Sequence, residues 1–430
     1  MTLAEPSAAG PLIVGAGERG VLARGLGRSY GDAAQNAGGR IFDMPSLPPS
    51  IRLDGDLGEA VVGAGVSLDA VMRACVRHGW FVPVTPGTRH VTIGGAIAAD
   101  IHGKNHHVDG SFAQHVRAFG LTLADGSHRT VTSDSPVFWA TAGGMGLTGV
   151  ITEAVVQMVP VQTSKMLVTT ERAADLDAIL SRMEETDAST RYSVAWVDLV
   201  AQGRQMGRSV LTLGDHAPLD ALSVTDGRQP LQFNPREVGG VPAVVPTGLL
   251  NSWSIRAFNE MWFRKAPRRR VDEVQSIAAF FHPLDGLRAW NRLYGPRGFL
   301  QYQFVLPFGE ETRLRRIVER LSAGGAPSFL AILKRFGPAS PGYLSFPTPG
   351  WTLALDIPAN VSGLAGLLDE LDRTVLDGGG RIYLAKDSRL AADSFPRMYP
   401  RLAEWQAIQQ HLDPTARFQS DLSRRLHLTK

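Results

Sequence analysis

Hydrophobic positions in the first 160 residues fall in short runs that glycines separate, a pattern that predicts strands joined by short helices. The run EAVVGAG at residues 59–65 predicts one strand. Ser67 is suited to cap the helix that follows, and Gly79 is suited to end it in the left-handed conformation. In residues 116–132, apolar and polar side chains alternate on both sides of an Asp-Gly pair, and this pattern predicts a β-hairpin. Residues 138–159 predict a short helix followed by a strand.

Longer helical periods begin after about residue 165. Residues 174–185 (ADLDAILSRMEE) and 312–324 (TRLRRIVERLSAG) repeat apolar positions at helical spacing. Residues 299–308 (FLQYQFVLPF) and 350–358 (GWTLALDIP) are typical of strands. We therefore predict that a second domain of mixed helices and strands starts near this point. Residues 203–247 show no regular period and predict a mobile loop.

The composition limits the class of protein. The chain has 430 residues, 44% of them hydrophobic and 20% charged, which is typical of a globular enzyme with two domains. The formal net charge is only +3, and FRKAPRRR is the one basic stretch, so nucleic acid is not an expected partner. No apolar run reaches the roughly 18 residues of a membrane span, and residues 1–10 lack the features of a signal peptide. We expect a soluble or surface-bound protein.

The single cysteine, Cys75, excludes an intramolecular disulfide and a cysteine-based zinc cluster. It lies within residues 67–79 (SLDAVMRACVRHG), whose apolar spacing predicts a helix with a small buried residue at this position. A reactive thiol is the alternative interpretation.

Glycine-rich motifs occur at three places near the N-terminus. Residues 11–20 (PLIVGAGERG) contain the dinucleotide pattern G-x-G-x-x-G, but a Rossmann site needs a helix directly afterwards, and residues 23–32 (ARGLGRSYGD) hold too many glycines for one. Together with residues 84–107 (VTPGTRHVTIGGAIAADIHGKNHH), residues 23–32 are instead suited to clamp an extended dinucleotide, because glycine backbone N–H groups approach an anion without obstruction. A plain surface turn is the alternative for residues 23–32.

Three histidines follow the second glycine-rich loop, and a metal site is one interpretation of them. His106 and His107 are adjacent, so on an extended segment they point to opposite faces, and no cysteine or dense carboxylate set completes a ligand shell with His102. We therefore predict no metal site, and structural roles for His106 and His107.

Several blocks along the chain resemble one family. These blocks include ARGLGRSYGD, PGTRHVTIGGAIAADIHGKNHH, GGMGLTGVI, FLQYQF, LKRFG, YLAKDSR and DPTARFQSDLSRRL, spread from about residue 20 to residue 428. They resemble FAD-dependent oxidoreductases of the vanillyl-alcohol oxidase fold and, within these, the decaprenylphosphoryl-β-D-ribose 2'-oxidase family. The resemblance implies an α+β fold with a bipartite FAD-binding domain, residues 1–165 and 381–430. It also implies an inserted substrate domain, residues 166–380, built of an antiparallel sheet plus helices.

The resemblance implies FAD as the cofactor. Related sugar oxidases often carry a flavin-linking histidine in the first glycine loop, where this chain has Arg28, and Cys75 lies on a predicted helix away from the loops. We therefore expect FAD to be bound without a covalent link. The expected cofactor-binding residues are Arg24, Gly25, Leu26, Gly27, Arg28, Ser29, Tyr30, Gly31, Gly87, Thr88, Thr92, Ile93, Gly94, Gly95, Ala99, Asp100, Ile101, His102, Gly103, Asn105, Ile151, Tyr383 and Lys386.

Oxidation of a secondary alcohol by a flavin requires hydride transfer, a base for the hydroxyl proton and a cation for the negative charge that reaches the flavin. Lys386 is the candidate for that cation, and a surface salt bridge with Asp387 is its alternative role. Tyr30 and His102 are candidates to orient the flavin or to relay the proton, with structural roles as the alternative. The base is not assigned.

Substrate contacts are expected from the second domain. Gln301 and Gln303 lie two residues apart on a predicted strand, so both amides face one side and can meet sugar hydroxyls together. Lys104 and Lys334 are suited to a phosphate, or are solvated surface lysines. Mycobacterial members of the family carry cysteine where this chain has Ala354, so no active-site thiol is expected here. The expected substrate-binding residues are Lys104, Tyr294, Gln301, Gln303, Lys334, Ala354 and Asp356.

The function that the resemblance implies is FAD-dependent oxidation of the 2'-hydroxyl of a polyprenylphosphoryl-β-D-ribose to the keto sugar, in the synthesis of cell-wall arabinan precursors. A quinone electron acceptor and a partner reductase for the keto product are further expectations. A soluble polyol or aldonolactone oxidase of the same fold is the first alternative. A non-catalytic nucleotide-binding or scaffold protein is the second.

One stretch has the physical character that a lipid substrate requires. In residues 247–270 (TGLLNSWSIRAFNEMWFRKAPRRR), Leu250, Trp253, Ala257, Met261 and Trp262 recur at helical spacing before a run of basic residues. This pattern predicts a helix that lies on an anionic membrane surface, and a helix packed in the core is the alternative. The expected location is the bacterial cell envelope, peripheral to the membrane, with the periplasmic face as one option and the membrane face not assigned. The cytoplasm is the alternative location.

Overall fold

The computed structural model describes residues 9–236, 239–242, 251–324 and 326–429. Short elements make up residues 9–160. In chain order they are α1 (Ala9–Val14), β1 (Val21–Arg24), β2 (Arg40–Asp43), β3 (Ile51–Asp54), β4 (Glu59–Gly63), α2 (Leu68–Cys75), β5 (Trp80–Phe81), α3 (Ile93–Ala98), α4 (His106–Asp109), β6 (Val116–Thr122), β7 (His128–Thr132), α5 (Pro136–Thr141), β8 (Val150–Gln157) and β9 (Val159–Pro160).

The rest of the chain has longer elements. They are β10 (Lys165–Ala173), α6 (Leu176–Thr186), β11 (Tyr192–Val197), β12 (Ser209–His216), β13 (Gly239–Gly240), α7 (Ser252–Lys265), β14 (Arg269–Ser276), α8 (Ile277–Phe281), β15 (Leu287–Arg288), β16 (Phe299–Pro307), α9 (Glu311–Ala323), β17 (Ala331–Phe336), β18 (Gly350–Pro358), α10 (Leu364–Asp377), β19 (Arg381–Ile382), α11 (Phe395–Met398), α12 (Leu402–Leu412) and α13 (Asp421–Arg425).

The N-terminal part is built on a five-stranded antiparallel sheet with the strand order β3-β4-β8-β6-β7. The predicted hairpin is confirmed, since β6 and β7 pair across the Asp-Gly turn. Ser67 caps α2 by accepting a hydrogen bond from the backbone N–H of Ala70 (3.2 Å), and Gly79 is left-handed with a φ of 82°. Cys75 is buried at the end of α2, and burial raises the pKa of its thiol to about 11. These observations confirm the small buried residue and not the reactive thiol.

The second sheet has eight strands in the order β14-β10-β12-β11-β17-β18-β16-β19, and every neighbouring pair is antiparallel. The prediction of a mobile loop over residues 203–247 is wrong for β12, which lies between β10 and β11. Most of the β12 side chains are buried on both faces, so the strand lacks the alternation that marks a half-exposed strand. Residues 237–238 and 243–247 of the predicted loop lie outside the described residues.

The C-terminal residues return to the N-terminal part. The backbone N–H of Val21 in β1 donates to the carbonyl of Arg417 (2.7 Å), and the N–H of Gln419 donates to the carbonyl of Val21 (3.1 Å). The indole of Trp405, fully buried on α12, donates to the carbonyl of Ala140 (2.8 Å). Two antiparallel sheets with packed helices confirm the α+β fold class.

Two local predictions are settled by the helices near the N-terminus. The G-x-G-x-x-G pattern of residues 15–20 follows α1 and precedes β1, the reverse of the strand-to-helix order of a Rossmann site. The expectation that residues 106–107 are extended is wrong, because they start the single-turn helix α4. Both histidines hold structural contacts there. The His106 Nδ1 accepts from the N–H of Gly337 (3.2 Å), and the His107 Nε2 lies 2.9 Å from the carbonyl oxygen of Thr190.

The predicted amphipathic helix exists as α7, and its apolar face is exposed. Trp253 is 83%, Met261 57% and Trp262 43% exposed, while Ile255 and Asn259 on the same helix are fully buried. The predicted apolar positions therefore do not pack in the core, but the helix itself is anchored there by two other residues, so the alternative of a core-packed helix is correct in part. The final arginines of the basic stretch belong to β14 at the edge of the sheet, and Leu250 lies outside the described residues. No helix among the residues with a described structure is long and apolar enough to cross a bilayer.

Candidate active site

Three segments that are distant in sequence meet at the first glycine loop, residues 24–31. The backbone N–H of Tyr30 donates to the carbonyl of Ala385 (2.9 Å). A Cβ on Gly31 would overlap the carbonyl of Asp387, and a Cβ on Gly25 would overlap the hydroxyl of Thr92. Only glycine therefore allows this loop to lie against both the second glycine loop and the segment that follows β19.

The second glycine loop is fixed by its own polar contacts. Thr92 caps α3, since its hydroxyl accepts from the N–H of Gly95 (3.2 Å). Asp100 is fully buried in a left-handed conformation (φ 38°), and its carboxylate accepts from the hydroxyls of Ser111 (2.8 Å) and Ser345 (2.5 Å). The phenol of Tyr383 donates to the carbonyl of Ala99 (3.1 Å). These bonds fix the path of the backbone that carries His102.

A cavity of about 860 Å³ lies beside the first glycine loop. Leu26 is the predicted cofactor residue that lines it, and Thr152 on its wall is adjacent to the predicted Ile151 on β8. Its volume suits part of a large ligand, and none of the predicted catalytic residues lines it. It therefore fits the nucleotide end of an extended dinucleotide. Sequence reasoning missed most of its wall, which includes residues 45, 47–50, 63–67, 122 and 152–153. The glycines at the end of β4 were the signal that pointed there.

His102 is held in one tautomer by a chain of hydrogen bonds. The hydroxyl of Thr352 donates to the carbonyl of Phe304 (2.8 Å), so its oxygen accepts from the Gln303 amide nitrogen (3.1 Å). The same nitrogen lies 3.0 Å from His102 Nε2, which must therefore accept. The proton of the neutral ring is then on Nδ1, which is buried and makes no hydrogen bond within the described part of the chain. Burial, followed by the charge of Lys334, holds the pKa of His102 well below its ordinary value.

The predicted substrate residues on β16, β17 and β18 face one side of the sheet. Gln301 is paired directly with Asp356, Gln303 with Ala354, and Lys334 with Thr352. Directly opposite residues on antiparallel strands share a face, and residues two apart on one strand do so too. The structure therefore brings together Gln301, Gln303, Lys334, Ala354 and Asp356.

At one end of this side of the sheet, the charges of Lys386 and Asp356 interact. The Lys386 ammonium lies 4.0 Å from the centre of the Tyr30 ring. Burial lowers the pKa of Lys386 to about 7, although the charge of Asp356 acts in the opposite direction. Burial likewise raises the pKa of Asp356 to about 7. The alternative of an ion pair between Lys386 and Asp387 is wrong, since Asp387 is bound by Arg425 (2.9 Å).

Two further lysines are half-buried and lack a carboxylate partner among the described residues. The Lys104 ammonium donates to the carbonyl of Phe280 and lies 4.2 Å from the centre of that ring. In the described ranges no ion pair joins Lys104 or Lys334 to a carboxylate. Both side chains are partly removed from water, which favours the phosphate interpretation over solvated surface lysines. Burial lowers the pKa of Lys104 to about 7 and that of Lys334 to about 8. Unpaired buried ammonium groups of this kind fit an anionic ligand.

The remaining predicted residues occupy the same loops. Thr88 accepts from the N–H of His90 (3.2 Å), and the guanidinium of Arg28 donates to the carbonyl of His90 (3.2 Å). The Asn105 amide donates to the carbonyl of Pro83 (2.9 Å), and the phenol of Tyr294 donates to Asp356 (3.4 Å). The others end or follow β1 (Arg24, Leu26, Gly27, Ser29), lie in α3 or in the segments on either side of it (Gly87, Ile93, Gly94, Gly95, Ile101, Gly103) or follow β19 (Tyr383, Lys386).

The site fits FAD. A glycine cradle, an adjacent cavity, an unpartnered buried N–H on His102 and buried ammonium groups suit a long, anionic dinucleotide with polar ring edges. Residues 14–132 match the family described as FAD binding domain. Fold and site thus define an FAD-dependent oxidoreductase. Over 416 residues the chain is 45% identical to decaprenylphosphoryl-β-D-ribose oxidase of Mycolicibacterium smegmatis, an alignment that covers 96% of this chain and 90% of the relative. The chain belongs to the decaprenylphosphoryl-β-D-ribose oxidase family.

Two other relatives show how far the similarity extends. An uncharacterized protein of Streptomyces coelicolor is 43% identical over 370 residues, which cover 84% of this chain and all of that protein. An alditol oxidase of a Streptomyces species is 23% identical over 412 residues, covering 95% of this chain and 90% of the oxidase. The polyol oxidases that were the first alternative are therefore more distant relatives.

Gly31→Ala is expected to lose most of its bound FAD, because the new methyl group overlaps the Asp387 carbonyl and displaces the first glycine loop. Overpacking of this kind costs about 1–3 kcal/mol, enough to weaken FAD binding roughly 5- to 150-fold. Flavin absorbance per chain after gel filtration measures the effect. Gly17→Ala is the matched control, because a Cβ there has no atom of the described residues within 4 Å. Full flavin content in Gly31→Ala would show that the loop is not closely packed.

Proposed function

We propose that this protein oxidises the 2'-hydroxyl of a polyprenylphosphoryl-β-D-ribose to the keto sugar, as a step toward cell-wall arabinan precursors. The observation that carries the proposal is one buried sheet face with two amides and an unpaired lysine, Gln301, Gln303 and Lys334, with a second unpaired lysine, Lys104, buried beside it. Amides suit sugar hydroxyls and the lysines suit a phosphate. The name of the Mycolicibacterium smegmatis relative supports the same substrate class.

We propose the corresponding division of labour between domains. Residues 1–165 and 381–430 form the FAD-binding domain, and residues 166–380 form the substrate domain. The hydrogen bonds that join β1 to residues 417–419 support the return of the C-terminal segment. The eight-stranded sheet, which begins at β10, supports a separate substrate domain.

FAD bound in the glycine cradle would supply the two-electron oxidant, and the chain's own residues would prepare the alcohol. In this proposal Lys386 places a positive charge where the flavin gains a negative one. The Nδ1–H of His102 donates to an acceptor on the flavin edge or on the substrate, and Gln303 holds that tautomer. Tyr30 supports the Lys386 ammonium with its ring face. Arg28 occupies the position of a flavin-linking histidine, so FAD is held without a covalent bond.

The substrate class is tested by anaerobic flavin spectra. Polyprenylphosphoryl ribose is expected to bleach the flavin of the purified protein, and xylitol or sorbitol is expected to leave it oxidised at the same concentration, because neither polyol fills the lysine site. Acid precipitation of the same sample is expected to release all of the flavin. Faster bleaching by the polyols would favour a polyol oxidase, and no bleaching by any alcohol would favour a non-catalytic protein.

Lys386→Ala is expected to retain FAD but to lower the rate of flavin reduction about 100-fold, a loss on the order of 3 kcal/mol. In the wild type the rate is expected to fall on the alkaline side of a pKa of about 7, because the half-buried ammonium loses its proton and its charge. Stopped-flow absorbance measures both effects. Lys165→Ala is the control, since Lys165 forms an ion pair with Asp226 outside the site. A wild-type rate in Lys386→Ala would exclude the proposed charge.

The exposed face of α7 supports a peripheral position on a membrane, which we propose for the bacterial cell envelope, with the cytoplasm as the alternative. The face holds exposed aromatic and apolar side chains next to basic residues. Phe258 on this helix contacts Phe329, which stacks on Tyr294, so apolar rings connect the face with the substrate site. The family resemblance further supports a quinone electron acceptor and a partner reductase for the keto product.

Vesicle binding is expected to require anionic lipid and to weaken with salt, because each basic residue near the surface contributes up to roughly 1 kcal/mol that salt screens. Co-sedimentation measures it after five residues are changed to glutamine. These are Arg264, Lys265, Arg268, Arg269 and Arg270. The control changes five exposed arginines on other elements, Arg52, Arg77, Arg129, Arg316 and Arg397. Activity on a short, water-soluble substrate analogue should survive. Equal vesicle binding by both variants would contradict the proposal that this surface binds the membrane.

A further inference from the structure

We propose that Asp356 is the base that removes the hydroxyl proton of the alcohol, an inference that rests on the proposed function. The step balances as follows. The hydrogen on the carbinol carbon leaves with its electron pair to the oxidised flavin, the O–H proton passes to the Asp356 carboxylate, and the carbon–oxygen double bond forms. The alcohol loses two electrons, and the flavin gains them.

The position of Asp356 is that of a group aimed at the substrate. It lies on β18 two residues from Ala354, on the face that carries Gln301 and Gln303, and it is only 1% exposed. One carboxylate oxygen accepts from the Gln301 amide (2.6 Å), and the other accepts from the Tyr294 phenol (3.4 Å). Each oxygen has two lone pairs, so acceptor capacity remains for a substrate hydroxyl.

Asp356 differs from the other buried aspartates of the described chain in having no structural task of its own. Each of the others either pairs with an arginine or accepts several backbone or hydroxyl hydrogen bonds. The arginine pairs are Asp198 with Arg208, Asp285 with Arg89, Asp372 with Arg389 and Asp387 with Arg425, and the hydrogen-bonded carboxylates are Asp100 and Asp413. Asp356 is held by two neutral donors and forms no ion pair within 4 Å in the described ranges.

The other candidates of the site are poorly suited to accept this proton. The Nε2 lone pair of His102 is engaged by Gln303, and its Nδ1 carries the proton. Desolvation, followed by the charge of Asp356, raises the pKa of the Tyr30 phenol above its ordinary value, so Tyr30 is protonated at neutral pH. Lys386 is assigned to the counter-charge, and it performs that task only while it holds its own proton.

The charges around Asp356 set the pH at which it can act. Burial raises its pKa to about 7, and the Gln301 hydrogen bond, the Lys386 ammonium and the Tyr294 hydrogen bond act in the opposite direction. The titratable groups that face it are Lys386, Tyr294 and Tyr30. A base must be deprotonated, so flavin reduction is expected to rise with pH on the acidic side of this pKa. Loss of the Lys386 proton lowers the rate on the alkaline side, and because both pKa values are about 7, the expected profile is a narrow bell centred near pH 7.

Asp356→Asn tests the assignment because asparagine preserves size but cannot take the proton. The variant is expected to bind FAD and substrate normally, and to reduce flavin about 100- to 10,000-fold more slowly. The rising limb of the pH profile should disappear. A solvent deuterium effect on reduction should also disappear, whereas the effect of deuterium on the reacting carbon should remain. Asp372→Asn is the control, because that buried aspartate contacts Arg389 and Tyr302, away from the site face.

Two further measurements keep the assignment decidable. Carbon-13 NMR of the aspartate carboxyl groups in the holoenzyme is expected to show one titration near pH 7 that Asp356→Asn removes. If the asparagine variant loses FAD, Asp356→Glu is the variant to measure. A shift of the rising limb of its pH profile of flavin reduction supports the assignment, and an unshifted limb overturns it. Substrate binding weakened with reduction unchanged would also overturn it. Any alcohol that bleaches the wild-type flavin can be used as the substrate in these measurements. The test of the base is therefore separate from the test of the ribose lipid as substrate.

Discussion

The register of three antiparallel strands, β17, β18 and β16, is the constraint on which the rest of the site depends. Pairing places Asp356 opposite Gln301 and Lys334 opposite Thr352, so the polar groups converge on one face. A slip of β18 by one residue would turn Asp356 to the other face, away from Gln301. That other face is committed to the core, where Tyr302 on β16 meets Asp372 on α10. Packing on the core face of the sheet therefore fixes the positions of the polar side chains on the site face.

The second wall of the site comes from a loop that only glycine can form. Gly25 and Gly31 let the first glycine loop lie against residues 92 and 385–387. Tyr30 is thereby placed under Lys386, although more than half of the chain separates the two in sequence. The binding of C-terminal residues to β1 thus has a chemical consequence, because the same return of the chain positions Lys386, whose charge acts on Asp356.

The sequence pattern predicted those features that depend on residues close together in the chain. The alternation of β16 was sufficient to put Gln301 and Gln303 on one face, and the Asp-Gly pair was sufficient to predict the hairpin of β6 and β7. The partners of those amides were beyond reach, since the pairing of Gln301 with Asp356 is a contact between residues 55 positions apart. The strand β12 could not be predicted because its side chains are buried on both faces and so do not alternate. The helix α4 could not be predicted because a single turn is too short to show a helical period. The cavity wall was missed because it combines four separate segments.

Burial acts on the charges of the site in opposite directions and so brings them toward a common pH. It raises the pKa of Asp356 and lowers those of Lys386, Lys334 and Lys104, because water is removed from all of them alike. The free protein avoids the full cost of unpaired buried charges, since each lysine can release its proton near neutral pH. An anionic group bound between Lys104 and Lys334 reverses that balance by favouring their charged forms. Under the proposed function, substrate binding and proton uptake are therefore linked, because a bound phosphate favours the charged forms of two lysines whose pKa values burial has lowered.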